Sequence, residues 1–171
     1  RTAIAEVHRV LPPAAWRFTR NPHGKPAVDP LLGPAPAFNL AHSAGVAVVA
    51  VTGGRDVGVD VENRDRRVQA ARLVARFFSP AEASELGGLA DAALQERFIV
   101  TWTLKEAYLK GLGRGLGQPL DSFAFHLTTG EPLGIDFSPA PQDRREWRFF
   151  VVEPRRRSIA SVAVAATGRG R

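Results

Sequence analysis

The chain has 171 residues, 44% of them hydrophobic, and contains neither cysteine nor methionine. Without cysteine there are no disulfides, thiolate metal sites or cysteine nucleophiles, so any metal must be held by oxygen or imidazole. No run approaches the roughly 18 apolar residues of a membrane helix, the start RTAIAEVHRVLPP lacks the plan of a signal peptide, and a net charge of +6 points to an anionic partner: nucleic acid, a phosphorylated small molecule or an acidic protein.

The excess charge is mostly arginine, in RDRR at 64–67, RRR at 155–157 and RGR at the end, and the last two clusters read equally well as solvated surface and a frayed tail. In chain order, residues 2–10 are helix-like and stop before Pro12 and Pro13. WRFTR alternates as a short strand does. NPHGKPAVDPLLGPAP, which contains Lys25, is a long Pro- and Gly-rich loop, and loops of that length are more often functional than idle. Strands follow at about 46–52 and 56–62, with Gly53 and Gly54 between them as a tight hairpin turn. Ser79, Pro80 and Glu82 form a helix start with a capping box.

Residues 91–112 read as a long helix, stopped by Gly111, Gly113, Gly115 and Gly117. The segments SFAFHL, PLGIDF, WRFFVV and SIASVAVAA beyond it read as strands. The fold class is therefore α+β, with two halves meeting near residues 64–75.

Three groups of residues suggest chemistry. In VGVDVEN, Asp60 and Glu62 are two apart on a strand and point to one side, with Val57, Val59 and Val61 on the other. Such a pair suits a hard divalent cation or simply marks a wet strand face. Glu106 and Lys110 are four apart on the long helix. They form either an ordinary intrahelical ion pair or, given the apolar surroundings of Phe98, Trp102, Leu104, Tyr108, Leu109 and Leu112, the border of a cleft. His42 in FNLAHS is either structural or a donor to phosphate. With Lys25 and Lys105 added, the set suits a pyrophosphate gripped through a metal.

GKP at 24–26, FNLAHS at 38–43, VGVDVE at 57–62, FFSPAE at 77–82 and WTLKEAYLKGLGRGL at 102–116 resemble, in order and spacing, the motifs of the Sfp-type 4'-phosphopantetheinyl transferase superfamily. The resemblance implies a pseudo-twofold pair of similar α/β halves, residues 1–67 and 68–171, with coenzyme A and Mg2+ (or Mn2+) in the cleft between them. Relatives usually carry further residues before the equivalent of Arg1, some of them basic ones that hold the adenosine 3'-phosphate. The first half is therefore expected to be shortened at its N-terminus. Ala41 also stands where relatives often have serine.

By the same resemblance, Asp60, Glu62 and Glu106 would ligate the metal, and Lys25, His42, Lys105 and Lys110 would contact phosphates. Glu106 and Lys110 would carry the proton transfer and the stabilisation of the leaving group, and Trp102 and Phe78 would pack beside the site. The implied reaction moves 4'-phosphopantetheine from coenzyme A to a serine of an acidic acyl or peptidyl carrier protein and releases adenosine 3',5'-bisphosphate. The implied enzyme is a cytoplasmic, monomeric, holo-[acyl-carrier-protein] synthase type transferase that binds neither nucleic acid nor membrane.

Two rivals remain at the level of sequence. A metal-dependent nuclease also uses paired acids on strands, but Glu62 is followed by Asn63 and Arg64 where such a site needs a lysine. A noncatalytic basic module binding nucleic acid or an acidic protein would leave Asp60, Glu62 and Glu106 without a role.

Overall fold

The structure is a computed structural model that describes residues 1–7, 9–114, 117–128, 133–140 and 142–166. His8, Gly115 and Pro132, which entered the readings above, and the terminal RGR lie outside the described residues. The architecture is mixed α+β.

The first helix, α1 (Thr2–Val7), is followed by the short strands β1 (Phe18–Arg20) and β2 (Pro26–Val28), which pair antiparallel. Ile4, Trp16, Val28 and Phe38 form a small core under this region. β3 (Ala37–Ser43) and β4 (Val46–Thr52) form an antiparallel hairpin. Its turn is Ala44-Gly45, with φ of 47° and 77°, the two positive values that a two-residue turn matching strand twist requires.

The tight hairpin expected at Gly53-Gly54 does not form, because β4 and the next strand, β5 (Val57–Asn63), belong to different sheets. β5 pairs antiparallel with β9 (Ser158–Ala165), which pairs in turn with β8 (Trp147–Val152). A further hairpin joins β6 (Ala124–Thr128) and β7 (Gly134–Ser138). The unladdered edge of β5 is satisfied by side chains: Val59 N donates to Asn39 Oδ1 at 2.9 Å, and Lys25 Nζ donates to Val57 O at 3.0 Å.

Between β5 and β6 lie α2 (Ala70–Phe77), α3 (Pro80–Gly87) and α4 (Asp91–Leu112). The capping box opening α3 is present, Ser79 and Glu82 each accepting from the other's backbone N–H. Gly113 ends α4 in the left-handed conformation, φ 65°. α4 is buried on most of its surface and forms the spine of the main core with Val74, Phe78, Phe123, Phe125 and Ile159. It can lie on β5 only because Gly58 has no side chain; a Cβ there would run into Ala107 O and Gly111 N. Among the described residues, no helix is long and apolar enough to cross a membrane.

Candidate active site

The close crossing of α4 over β5 decides which side chains meet. Gly58, Asp60 and Glu62 alternate onto one face of β5, and α4 crosses at Gly58. In its C-terminal half α4 leaves one stripe partly exposed: Trp102, Glu106 and Lys110, at intervals of four. Lys110 Nζ reaches across to Asp60 Oδ1 at 2.7 Å, so the lysine's partner is the strand acid. Burial pushes the Asp60 carboxyl up, Lys110 opposes this, and Glu62 adds to it. Burial also raises Glu106, followed by the charge on Asp60, against the opposing Lys110 and with a further push from Glu62. Glu106 thus feels both strand acids, which places it on the same side of the strand–helix crossing as Asp60 and Glu62.

A cavity of about 280 Å³ opens beside this cluster, with Glu106, Lys110, Lys25, His23, Asn39 and Leu40 in its lining. Lys25 Nζ donates to Gly111 O at 2.9 Å as well as to Val57 O, and Asn21 Nδ2 donates to Gly113 O at 2.8 Å. Loop residues therefore cap the C-terminus of α4, where the helix dipole favours cations. His42 lies on β3, exposed, two residues past Leu40 on the same strand side, and is not part of the cavity lining.

Lys105 departs from the expectation of a phosphate contact. One residue before Glu106 it is turned about 100° away around the helix, and it is wholly buried against Glu82, Nζ to Oε2 2.8 Å. Its ammonium also donates to Leu120 O at 2.7 Å and Phe123 O at 2.8 Å and sits over the Phe78 and Phe123 rings. Trp102 and Phe78 stack, ring centroids 6.5 Å apart, alongside the exposed stripe.

Sequence reading did not single out Ser43, which donates to Glu62 Oε2 at 3.1 Å, or Arg66, which pairs with Glu62 Oε1. It also missed His23 in the cavity wall and Asn39 bridging the sheets. Asn39 had a signal, an amide in the middle of the otherwise apolar run AFNLA.

Among the described residues, no three His, Asp or Glu side chains stand close enough together to hold one ion. One Asp60 oxygen is taken by Lys110, and the Glu62 oxygens are taken by Ser43 and Arg66. The chemistry of the donor set nonetheless fits a hard divalent cation: three mutually repelling carboxylates, oxygen donors only, beside an open cavity.

The sequence profile of the 4'-phosphopantetheinyl transferase superfamily matches residues 56–166. The chain is 34% identical over 157 residues to 4'-phosphopantetheinyl transferase HetI of Nostoc sp., an alignment covering 91% of this chain and 63% of that protein. It is 35% identical to a 4'-phosphopantetheinyl transferase of Bacillus subtilis, covering 80% of this chain and 58% of the relative. For 4'-phosphopantetheinyl transferase Sfp of Bacillus subtilis strain 168 the identity is 33%, over 70% of this chain and 51% of the relative. The chain belongs to the 4'-phosphopantetheinyl transferase superfamily. It spans between about half and about three fifths of the length of these relatives.

Proposed function

We propose that this protein transfers 4'-phosphopantetheine from coenzyme A to a serine of an acyl or peptidyl carrier protein, as a holo-[acyl-carrier-protein] synthase type enzyme. The observation that carries the reading is the meeting of Asp60 from β5 with Glu106 and Lys110 from α4 at the edge of a cavity that Lys25 also lines. The names of the relatives point the same way.

In the reaction the serine oxygen attacks the β-phosphorus of coenzyme A and forms a new P–O bond. The pyrophosphate P–O bond breaks, and adenosine 3',5'-bisphosphate leaves with the electron pair. Glu106, whose carboxylate is made more basic by burial and by Asp60, accepts the serine proton. Lys110 lines the cavity and donates to the leaving phosphate, and Lys25 adds a positive potential at the end of α4. A divalent cation, Mg2+ or Mn2+, held by Asp60, Glu62 and Glu106 would supply neutralisation of the diphosphate charge. His42, exposed on the neighbouring strand, is assigned to a more distant phosphate.

In this reading residues 1–67 and 68–171 are two pseudo-twofold-related halves. A site between them accords with the cavity lining, which draws on residues 23–26 and 39–40 from one and residues 106, 109, 110 and 113 from the other. The enzyme acts as a cytoplasmic monomer, and its positive charge serves an acidic carrier instead of nucleic acid. Incubation with coenzyme A, Mg2+ and an apo carrier domain should add the mass of one phosphopantetheine group to the carrier. A carrier whose mass stays unchanged with both Mg2+ and Mn2+ would refute the assignment.

A further inference from the structure

The flank of α4 that faces away from the cavity carries a second polar assembly, which the reaction above does not use. Tyr108, wholly buried, donates its hydroxyl to Asp143 Oδ2 at 2.7 Å, and Trp147 Nε1 donates to the same oxygen at 2.8 Å. Arg145 Nε donates to Asp143 Oδ1 at 2.9 Å, while Arg145 Nη1 donates to Asp56 Oδ2 at 2.8 Å. Both aspartates are buried. Burial works against ionisation of Asp143, yet the bonds from Arg145, Tyr108 and Trp147 together outweigh it and hold the carboxyl below its ordinary range. Such a network is rigid because every member is satisfied.

The network also closes a mechanical loop. Asp56 immediately precedes β5, the strand that carries Asp60, and Tyr108 lies on α4 between Glu106 and Lys110. The two elements approach most closely where Gly58 meets the backbone of Ala107 and Gly111, and α4 packs along β5 and β9 from there. Any shift in how α4 is seated on β5 would move Glu106 and Lys110 relative to Asp60. On the other side of that contact stands the Trp147 ring, which a Cβ on Gly111 would meet at 2.8 Å. Tyr108, Trp147 and Asp143 therefore clamp the end of the helix, and Arg145 ties the clamp back to the start of β5.

We propose that Asp143, together with Arg145, is a positioning residue. It touches no reacting atom and fixes the separation between the strand acid Asp60 and the helix pair Glu106 and Lys110. The proposal rests on the function assigned above. It explains why so polar a cluster is buried in a region otherwise packed with aromatic rings, and it places a determinant of the site in the connection before β8, outside the motifs that carry the family resemblance.

The test compares Asp143→Asn and Tyr108→Phe, the latter keeping the ring and losing only the hydroxyl, with Val74→Ala, a truncation in α2 of the same core that removes no member of the clamp. Mn2+ binding to the full chain with coenzyme A bound is measured by electron paramagnetic resonance, alongside steady-state kinetics. Sub-ångström to ångström misplacement of a reacting group costs on the order of tenfold to a hundredfold. Asp143→Asn and Tyr108→Phe should therefore weaken Mn2+ binding and lower kcat by about tenfold, with the carrier KM unchanged, and Val74→Ala should do neither. Arg145→Lys, which keeps a cation beside both acids, should retain more activity than Arg145→Gln.

Folded Tyr108→Phe that binds Mn2+ like the wild type would overturn the proposal, as would equal losses in Val74→Ala. If the wild type neither transfers nor binds Mn2+, the functional reading has failed and hydrogen exchange decides on the clamp. Faster exchange at residues 104–112 in Asp143→Asn than in Val74→Ala supports it, and equal exchange overturns it.

Discussion

Lys105, Glu106 and Lys110 lie within six residues of one another and meet three different environments, which follows from the 100° step of the helix. Lys105 faces inward to Glu82, and both are fully buried, the ammonium on three oxygens and each carboxylate oxygen with at least one donor. Removing one member of such a pair leaves a buried charge without compensation, so Lys105→Met should destabilise the fold by about 3–5 kcal/mol in urea unfolding. Lys110 is about one third exposed and faces the cavity, so Lys110→Ala, which leaves Asp60 within reach of water and of a proton, should lower the urea midpoint much less than Lys105→Met and abolish most of the transfer. The reverse pattern would mean that the two lysines have been assigned the wrong way round. Glu106 supplies a pH test. Its folded-state carboxyl is raised, so across the window between the ordinary value and the raised one the folded chain holds more proton than the unfolded chain. Stability therefore falls as pH rises through that window. Glu106→Gln removes this contribution. Its melting temperature should match the wild type below the ordinary carboxylate range and exceed it increasingly as pH rises through that window, whereas a constant difference would refute the electrostatic account.

At the level of elements, the site depends on how closely α4 lies on β5. Gly58→Ala would force a methyl group into the backbone of Ala107 and Gly111, neither of which is a yielding side chain. The expected cost is about 3 kcal/mol or more, at the upper end of overpacking penalties, visible as a lowered urea midpoint with loss of transfer in whatever remains folded. Local patterns made α4, the capping box before α3 and the strands β4 and β5 legible from sequence, because helix period, capping residues and β-branched runs are short-range signals. Strand β3 was harder to read: Asn39 interrupts its apolar run, and the group that its amide satisfies, Val59 N, lies 20 residues away. The Gly53-Gly54 turn misled for a related reason. It looks local, but the partner of β5 is β9, about a hundred residues further on, and no local pattern encodes that choice. The same limit applied at the site. Asp60, Glu62, Glu106 and Lys110 could be picked out by type and spacing, but the pairing of Lys110 with Asp60 and of Lys105 with Glu82 depends on which elements pack against each flank of α4.

At the scale of the whole molecule, the net charge of +6 is unevenly committed. Arg64, Arg66, Arg145 and Arg157 are tied to acids. Arg67, Arg72 and Arg76, before and along α2, stand exposed, and Arg76 lies over the Phe77 ring. Phe77 in turn meets Trp102, centroids 6.4 Å apart, and Trp102 begins the stripe that continues to Glu106 and Lys110. An acidic carrier attracted to α2 would therefore arrive beside the residue proposed to take its serine proton. Attraction of this kind acts on encounter more than on chemistry and is screened by salt. Raising NaCl should increase the carrier KM and leave kcat nearly unchanged. The double substitution Arg67→Glu with Arg76→Glu should raise that KM on the order of tenfold at low salt, with the gap narrowing at high salt. Steady-state kinetics at several ionic strengths would check both. If the double variant shifted the KM for coenzyme A as strongly as that for the carrier, these arginines would be serving the nucleotide, and the docking surface would have to be sought on another face.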